Sequence, residues 1–292
     1  MSTVALKNNS SHLLLCPEIG GSIARYTWRE QDILRPATVT AIAEKNIRAM
    51  ACYPLVPYSN RIGNAQLQVG AETFSLTKNF PPEPHAIHGI GWKRPWILGF
   101  HDSAHATLAL THTRDTDWPF AFHATQTFTL TEHDLQIILT IKNTDTRAMP
   151  VGLGFHPFFA TPAEEKTTLK ANWRGMWEMG VDKLPTQHVA VPPAADFRRA
   201  KPIANWQVDH CFTGWDQRAR LVTPTHALTL TASAACSAIV CYAHRAWLAL
   251  EPVTNINNAF QLAALGVENT GTRMLLPAES FSITFTIHCA PR

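Results

Sequence analysis

The feature that most restricts the fold of this chain is a strict alternation of apolar and polar residues near its C-terminal end. In the segment "FSITFTIH", Phe281, Ile283 and Phe285 alternate with serine and threonine. A period of two is typical of a β-strand with one buried face, because successive side chains of a strand point to opposite sides. The chain is therefore expected to build its core from sheets.

The same alternation recurs along the chain. The segment "HATQTFTLTEHDLQIILTIKNTD" predicts two strands joined by a tight turn near residues 132–134. Further candidates are "ATLALTHT", "ALTLTAS" and "SAIVCYA". No long window has the spacing of an amphipathic helix, and the 20 prolines cluster between the strands. We predict an all-β protein, with residues 1–292 forming one domain: a large antiparallel β-sandwich with few short helices.

Charge and apolar patterning exclude several classes of partner. The net charge is +3, from 25 basic and 22 acidic residues, and no run of Lys or Arg marks a nucleic-acid surface. No stretch of 18 apolar residues predicts a membrane span. The six cysteines form no C-x-x-C pair, which favours reduced thiols and a cytoplasmic protein, although disulfides remain an alternative.

Two loop segments carry polar residues that strand alternation does not explain. In "CYPLVPYSNRIGNAQ", Asn60 and Arg61 follow an aromatic and apolar approach, so the guanidinium is expected to be partly buried and to need partners. It is either a structural arginine that ties loops together through carbonyls or a ligand-binding group. In "PEPHAIHGIGWKRPW", His85 and His88 allow a metal site, but a small-molecule pocket that presents His88 beside Trp92 fits the glycine-rich turn better.

Three more titratable residues stand in unusual surroundings. His156 lies inside the apolar run "VGLGFHPFF", where it either fills a core or has a proton to give. Asp209 precedes the aromatic residues of "VDHCFTGWD". Glu251 follows the apolar run of residues 246–250, and burial of such a carboxylate without a cation raises its pKa into a range useful for a general base.

Together these segments resemble the aldose 1-epimerase, or galactose mutarotase-like, family. The motifs are "YPLVPYSNRI", "HGIGW", "GFHPFF", "VDHCF" and "LALEPVTNINNAF", in family order over residues 52 to 260. The residues of these motifs, especially "GFHPFF" and "LEPVT", are most similar to those of a bacterial branch whose sugar specificity is poorly assigned. The resemblance implies the galactose mutarotase-like supersandwich, with a monosaccharide on a concave face, no cofactor and no metal, in a monomer or a homodimer.

The resemblance also implies a role for each site residue. His156 matches the general acid that protonates the ring oxygen, and Glu251 matches the general base on the anomeric hydroxyl. His88 matches a second histidine near the ring oxygen. Arg61 and Asp209 match groups that hold sugar hydroxyls, and Asn60 supports the arginine. The expected function is interconversion of α and β anomers through ring opening, starting with Glu251 ionised and His156 protonated.

Departures from the family pattern leave the sugar open. Pro252 and Asn258 stand where threonine and aspartate are usual. A mutarotase for a hexose 6-phosphate or another modified sugar is an alternative, with Lys93 and Arg94 as the candidate phosphate ligands. A non-catalytic sugar-binding or sensor protein is another. Among the large aromatics, we expect at most two to line the site. These are Trp92, Trp96, Phe155, Phe158, Phe159 and Trp247.

Overall fold

Strands dominate the secondary structure. The computed structural model describes residues 3–161, 163–244 and 246–292. Within these ranges the chain forms 27 strands, two short helices and four single-turn 3₁₀ segments. The helices are α1 (Val39–Ala43) and α2 (Ala259–Ala264), and the 3₁₀ segments are Ile47–Ala49, Gly63–Ala65, Glu164–Lys166 and Pro193–Ala195. None of the helices in the described ranges is long and apolar enough to cross a membrane.

The strands are numbered in their order along the chain. The first thirteen are β1 (Val4–Lys7), β2 (Ser11–Cys16), β3 (Ser22–Trp28), β4 (Gln31–Asp32), β5 (Pro54–Leu55), β6 (Arg61–Ile62), β7 (Gln66–Val69), β8 (Glu72–Ser75), β9 (Ala86–Ile87), β10 (Ile97–His101), β11 (His105–His112), β12 (Phe122–Leu130) and β13 (Asp134–Asn143). The others are β14 (Met149–Val151), β15 (Gly154–Phe155), β16 (Phe158–Ala160), β17 (Thr168–Ala171), β18 (Gly175–Met179), β19 (Pro185–Ala190), β20 (Lys201–Pro202), β21 (Asp209–Thr213), β22 (Arg218–Val222), β23 (His226–Ala232), β24 (Ala238–His244), β25 (Trp247–Val253), β26 (Arg273–Leu275) and β27 (Ser280–Pro291).

Two large antiparallel sheets make up most of the fold. One has nine strands in the order β10-β11-β12-β13-β27-β23-β22-β17-β20. The other has eight, with β19-β18-β21-β24-β25-β15-β5 in line and β16 paired to β25. The predicted hairpin is confirmed: β12 and β13 pair with Phe128 opposite Ile137, and the Thr131 hydroxyl accepts a hydrogen bond from the Asp134 amide in the turn between them.

The two large sheets face each other across an apolar core. Phe155 of β15 and Phe285 of β27 stack across the interface with ring centroids 5.7 Å apart, and both rings are fully buried. The alternation noted in "FSITFTIH" supplies this core, because Ile283 and Phe285 of the central strand β27 are buried. The predicted all-β sandwich with few short helices is confirmed.

Candidate active site

The candidate site lies on the face of the eight-stranded sheet that turns away from the core between the sheets. In β25, Leu248 and Leu250 belong to the main core cluster, so Ala249 and Glu251 point to the opposite face. Directly opposed residues of neighbouring strands share a face. Register therefore puts five residues of the cavity wall or floor on this face: Glu251, Val240, Tyr242, Asp209 and Phe158.

These residues form part of a cavity of about 450 Å³, which falls in the range of small-molecule sites. Its titratable and polar lining is Arg35, Arg48, Asn60, Arg61, Glu83, His88, His156, Lys183, Asp209 and Glu251. Its aromatic and apolar lining is Tyr53, Phe80, Ile87, Phe158, Val240, Tyr242 and Trp247. All six site residues expected from the sequence thus meet in one cavity.

Glu251 is a buried carboxylate in the middle of a buried strand. Residues 248–253 are all buried, and the Glu251 Oε2 atom has no hydrogen-bond partner among the described residues. Burial raises the pKa of this carboxyl well above its usual value of 4.5, the Asp209 charge adds to the rise, and Arg61 opposes it. The group therefore holds a proton far more tightly than a surface glutamate does.

His156 lies between β15 and β16, facing Glu251. Its Nε2 is 3.2 Å from Glu251 Oε1, and its Nδ1 is buried with no partner among the described residues. The ring stacks on Phe158 at 4.4 Å between centroids and lies 4.7 Å from the Tyr53 ring. Burial, and then the charge of Arg35, lowers the pKa of His156 to about 3.

His156 Nε2 and Glu251 Oε1 lie within hydrogen-bond distance of each other, and the shifted pKa values favour one titratable proton on this pair of atoms. Because burial disfavours charge on both groups, the empty cavity favours a protonated Glu251 and a neutral His156. This differs from the expected starting state of ionised glutamate and protonated histidine. The two states contain the same number of protons, and a transfer from Oε1 to Nε2 converts one into the other.

The backbone amide of Asn60 fixes His88 as a hydrogen-bond donor toward the cavity. Its Nδ1 accepts a hydrogen bond from the Asn60 amide at 3.1 Å, so in the neutral ring the proton is on Nε2. Burial lowers the pKa of His88 well below 6.5, followed by smaller effects of His156 and Arg61, which keeps the ring neutral. Its centroid lies 5.4 Å from that of His156. Two imidazoles therefore approach the cavity from adjacent walls.

His85 has a different role from His88. Its Nδ1 accepts from the Asn64 amide at 2.9 Å, and its Nε2 lies 2.8 Å from the Asp182 carbonyl oxygen. Both ring nitrogens are thus engaged by backbone groups. The H-x-x-H spacing here serves loop packing, and this alternative to the small-molecule pocket receives no support from the geometry of His85.

Arg61 is held by a carboxylate that the sequence reasoning missed. Its Nε and Nη2 donate to the two oxygens of Glu83 at 2.6 and 2.8 Å, and its Nη1 lies 3.3 Å from Asn60 Oδ1. The partner is a side chain rather than the backbone carbonyls of the structural interpretation. The signal for Glu83 was its place between the prolines of "PPEPH", on the loop that leads to His88.

Asp209 lies at the mouth of the cavity. It begins β21, its side chain is 42% exposed, and it pairs with Lys183 at 3.1 Å. Arg61 and Lys183 are therefore both neutralised by carboxylates, Glu83 and Asp209, that also line the cavity.

Two glycines before His156 allow the loop to approach its neighbours closely. A Cβ atom on Gly152 would lie 1.9 Å from Asn255 Oδ1, and one on Gly154 would lie 2.7 Å from Val253 Cγ1. Asn255 in turn binds the backbone of Ser59. The run "VGLGFH" thus locks the histidine loop against the strand end of Glu251 and against the Asn60 segment.

Comparison with known proteins identifies the family. The sequence model of the aldose 1-epimerase family matches residues 2–285 of this chain. The chain belongs to the aldose 1-epimerase family. It is 28% identical over 225 residues to the uncharacterized protein YphB of Escherichia coli K12, which covers 76% of this chain and 74% of YphB.

Solved structures of similar proteins share the fold of this aldose 1-epimerase family member. A galactose mutarotase-like protein of Clostridium acetobutylicum superposes with a TM-score of 0.89 at 16% identity, covering 99% of this chain and 95% of that one. A galactose 1-epimerase of Lactobacillus acidophilus superposes with a TM-score of 0.82 at 18% identity, covering 99% and 94%. The predicted family is confirmed.

One expectation about the cavity lining agrees with the structure and another does not. Of the six large aromatics considered, Phe158 and Trp247 line the cavity, as the limit of two allowed. The proposed phosphate ligands were wrong: Arg94 pairs with Asp115 and Asp117, and Lys93 donates to the Asn79 carbonyl, so neither lines the cavity.

Basic and aromatic residues that were not predicted also line the cavity. Arg35 and Arg48 line the cavity although they lie in no motif, and Tyr53 lines it from within "YPLVPYSNRI", where only Asn60 and Arg61 were predicted as site residues. The unusual Asn258 lies outside the lining and accepts a hydrogen bond from the Gly63 amide, and Pro252 also lies outside it.

Proposed function

We propose that this protein is an aldose 1-epimerase that interconverts the α and β anomers of a monosaccharide by general acid and base catalysis. The observation that carries the proposal is the buried pair of His156 and Glu251, 3.2 Å apart at the base of a sugar-sized cavity. A carboxylate and an imidazole in reach of one another are the two groups that opening of a hemiacetal requires.

The reaction needs no atom beyond those of the sugar and this pair. A sugar that enters the cavity replaces the lost hydration of the pair with hydroxyl groups, which favours transfer of the shared proton from Glu251 to His156. Glu251 then takes the proton of the anomeric hydroxyl while His156 gives its proton to the ring oxygen. The bond between C1 and the ring oxygen breaks, and O1 becomes the aldehyde oxygen.

Ring closure reverses these transfers on the other face of the aldehyde. After rotation about C1–C2, the ring hydroxyl attacks C1, the protonated Glu251 donates to O1, and neutral His156 takes the proton of the ring hydroxyl. Each positioned proton transfer contributes about 10²–10⁴-fold. The neutral Nε2–H of His88 donates a hydrogen bond in the ring-oxygen region, while Arg61, Asn60 and Asp209 hold hydroxyls and so fix the orientation.

Polarimetry of freshly dissolved α-glucose and α-galactose tests the proposal. The wild type is expected to accelerate mutarotation of at least one aldose, and Glu251→Gln to lose about 10²–10⁴-fold in kcat. Glu279→Gln is the matched control: this carboxylate lies in an exposed turn, where it accepts a hydrogen bond from the Leu276 amide, and its loss should leave the rate unchanged.

A second measurement separates an enzyme from a sugar-binding protein on the same scaffold. A 1-deoxy sugar has no anomeric hydroxyl, so it binds without reacting, and it should bind wild type and Glu251→Gln with similar affinity. Full activity of Glu251→Gln would overturn the assignment of the base. Binding without any turnover by the wild type would favour the sensor alternative.

A further inference from the structure

The cavity contains more positive charge than its carboxylates balance. Four cations line it, and two of these are neutralised, Arg61 by Glu83 and Lys183 by Asp209. The pair of Glu251 and His156 has no net charge wherever its single proton lies. Arg35 and Arg48 are left, and neither pairs with a carboxylate among the residues that the structure describes.

Arg35 is half-buried and only partly satisfied by the protein. Its Nη2 donates to the carbonyl oxygens of Met50 at 2.8 Å and Arg48 at 3.0 Å. Its guanidinium carbon lies 3.9 Å from the Phe158 centroid and 5.1 Å from that of Trp247. Nε and Nη1 have no acceptor in the described ranges, so this face of the fork is available to a bound molecule.

Arg48 lies beside Arg35 on the same wall. The hydrogen bond from Arg35 to the Arg48 carbonyl joins the two residues, and the Arg48 guanidinium lies 4.2 Å from the centroid of Phe80, another lining residue. Arg48 is exposed, so it presents its charge at the mouth while Arg35 presents its charge deeper in the cavity.

Arg35, the deeper of the two arginines, lies within one sugar length of the proton-transferring pair. Phe158 touches both groups: Arg35 at 3.9 Å and the His156 ring at 4.4 Å from its centroid. The Arg35 guanidinium carbon and the His156 ring centroid are therefore no farther apart than the sum of these two distances, which is comparable with the length of a hexose. Phe158 lies between the two groups, but Arg35, Phe158, His156 and Glu251 all line the same cavity, so a monosaccharide with its anomeric carbon at His156 and Glu251 can extend a substituent past the edge of the Phe158 ring to Arg35.

We propose that the substrate of this site is a monosaccharide carrying an anionic substituent remote from the anomeric carbon, and that Arg35 and Arg48 bind that substituent. This inference rests on the proposed epimerase function. The planar fork of arginine matches the oxygens of a carboxylate, a phosphate or a sulfate, and a half-buried guanidinium without a protein carboxylate gains most from such a ligand. All three substituents are oxyanions, and a panel with one sugar of each kind distinguishes them.

A substrate panel is the direct test. NMR exchange measures the anomerisation rate of glucose, galactose, glucuronate, glucose 6-phosphate and glucose 6-sulfate with and without enzyme. The rate without enzyme is subtracted, because the phosphate group of glucose 6-phosphate accelerates anomerisation of its own sugar. At least one anionic sugar is expected to exceed glucose and galactose in kcat/KM by about tenfold or more, which is what a hydrogen bond to a charged group contributes. The preferred arm identifies the oxyanion.

Variants of the two arginines link that preference to this wall. Arg35→Gln and Arg48→Gln are each expected to lower kcat/KM for the preferred anionic sugar about 10- to 100-fold more than for glucose, mainly through KM. Arg35→Lys keeps the charge without the fork and should restore part of the preference. The control is Arg273→Gln, an exposed arginine over the Phe281 ring outside the cavity, which should change neither rate.

The outcomes separate this inference from the function beneath it. If neutral sugars are anomerised through Glu251 at rates that no anionic sugar exceeds, the anionic substrate is refuted and the epimerase stands. If both arginine variants affect neutral and anionic sugars equally, the arginines are structural and the inference also fails. If no sugar in the panel is anomerised, or if Glu251→Gln leaves every anomerisation rate unchanged, the proposed function itself fails.

Discussion

Among individual residues, the decisive feature of this protein is the burial of two titratable groups, Glu251 and His156, whose facing atoms lie 3.2 Å apart. Burial raises the pKa of Glu251 and lowers that of His156 to about 3, so each group resists the charge it would carry in water. The ordinary values are 4.5 and 6.5, and the order of proton affinity is therefore inverted in the folded state. Inversion makes transfer within the pair possible when a polar ligand enters.

The same inversion predicts how stability depends on pH. Between pH 4.5 and 6.5, the unfolded chain has ionised glutamate and protonated histidine, which is one proton, and the folded pair also holds one. The pair thus adds no slope in this window. Above pH 6.5 only the folded pair keeps its proton, so stability falls as pH rises through the raised pKa. Below pH 4.5 the unfolded chain binds a second proton, so stability falls toward pH 3.

Single variants separate these opposing effects. In His156→Gln only Glu251 remains, so the free energy of unfolding should fall as pH rises above 4.5. In Glu251→Gln only His156 remains, so it should fall as pH drops below 6.5. Each slope approaches about 1.4 kcal/mol per pH unit relative to the double variant, measured by urea unfolding from pH 4 to 8. Parallel curves for the two single variants would show that burial does not shift the pair.

At the element scale, the site depends on short connections between strands rather than on the strands alone. β25 presents Glu251, but His156 is placed by the loop that joins β14 to β15 and continues into β16. That loop approaches Asn255 so closely that a residue without a Cβ is required at Gly152. Asn255 then transmits the position of the loop to Ser59, next to Asn60 and Arg61.

Gly152→Ala is therefore expected to damage both stability and binding. The added methyl group displaces Asn255, whose side chain accepts from the Ser59 amide and hydroxyl and donates to the Ser59 carbonyl. Overpacking with loss of these bonds should cost about 2–4 kcal/mol in urea unfolding. KM for the sugar should rise as well.

The control for this change is Gly99→Ala in β10. A Cβ there meets the Thr107 carbonyl oxygen at 3.4 Å, an ordinary contact, so stability and KM should stay near wild type. A Gly152→Ala protein as stable as Gly99→Ala would mean that Asn255 moves freely and does not couple the two loops.

At the scale of the whole molecule, the sheet behind the site supports it. Phe155 directly precedes His156, and its ring stacks on Phe285 of the central strand of the other sheet. β27 pairs with β13 and β23, which lie far away in sequence, so the support for the histidine comes from the last strand of the fold. We propose that residues 1–292 act as one domain for this reason.

Phe285→Ala tests that coupling. Loss of the buried ring should lower the free energy of unfolding by about 3–5 kcal/mol and reduce kcat, although Phe285 does not line the cavity. Phe281→Ala, on the same strand but only partly buried, should cost less and leave kcat unchanged. Calorimetry should show one transition for each protein; two separate transitions in the wild type would contradict a single domain.

Several strands, the family and six residues that line the cavity could be predicted from the sequence alone. Alternation with a period of two is local, so segments such as "FSITFTIH" reveal their buried face without any tertiary information. The motifs around Asn60, His88, His156, Asp209 and Glu251 likewise carry their information in consecutive residues. These residues could be predicted because each lies in a short segment whose pattern is unusual by itself.

Which cations face the site, and the directions in which burial shifts the pKa of Glu251 and of His156, follow only from the fold. Arg35 and Arg48 lie in segments without a motif, whereas Lys93 and Arg94 lie beside one and yet pair elsewhere. Glu83 became recognisable through its two bonds to Arg61. Charge pairing and desolvation depend on neighbours brought together from distant parts of the chain, and no local pattern of residues records those distances.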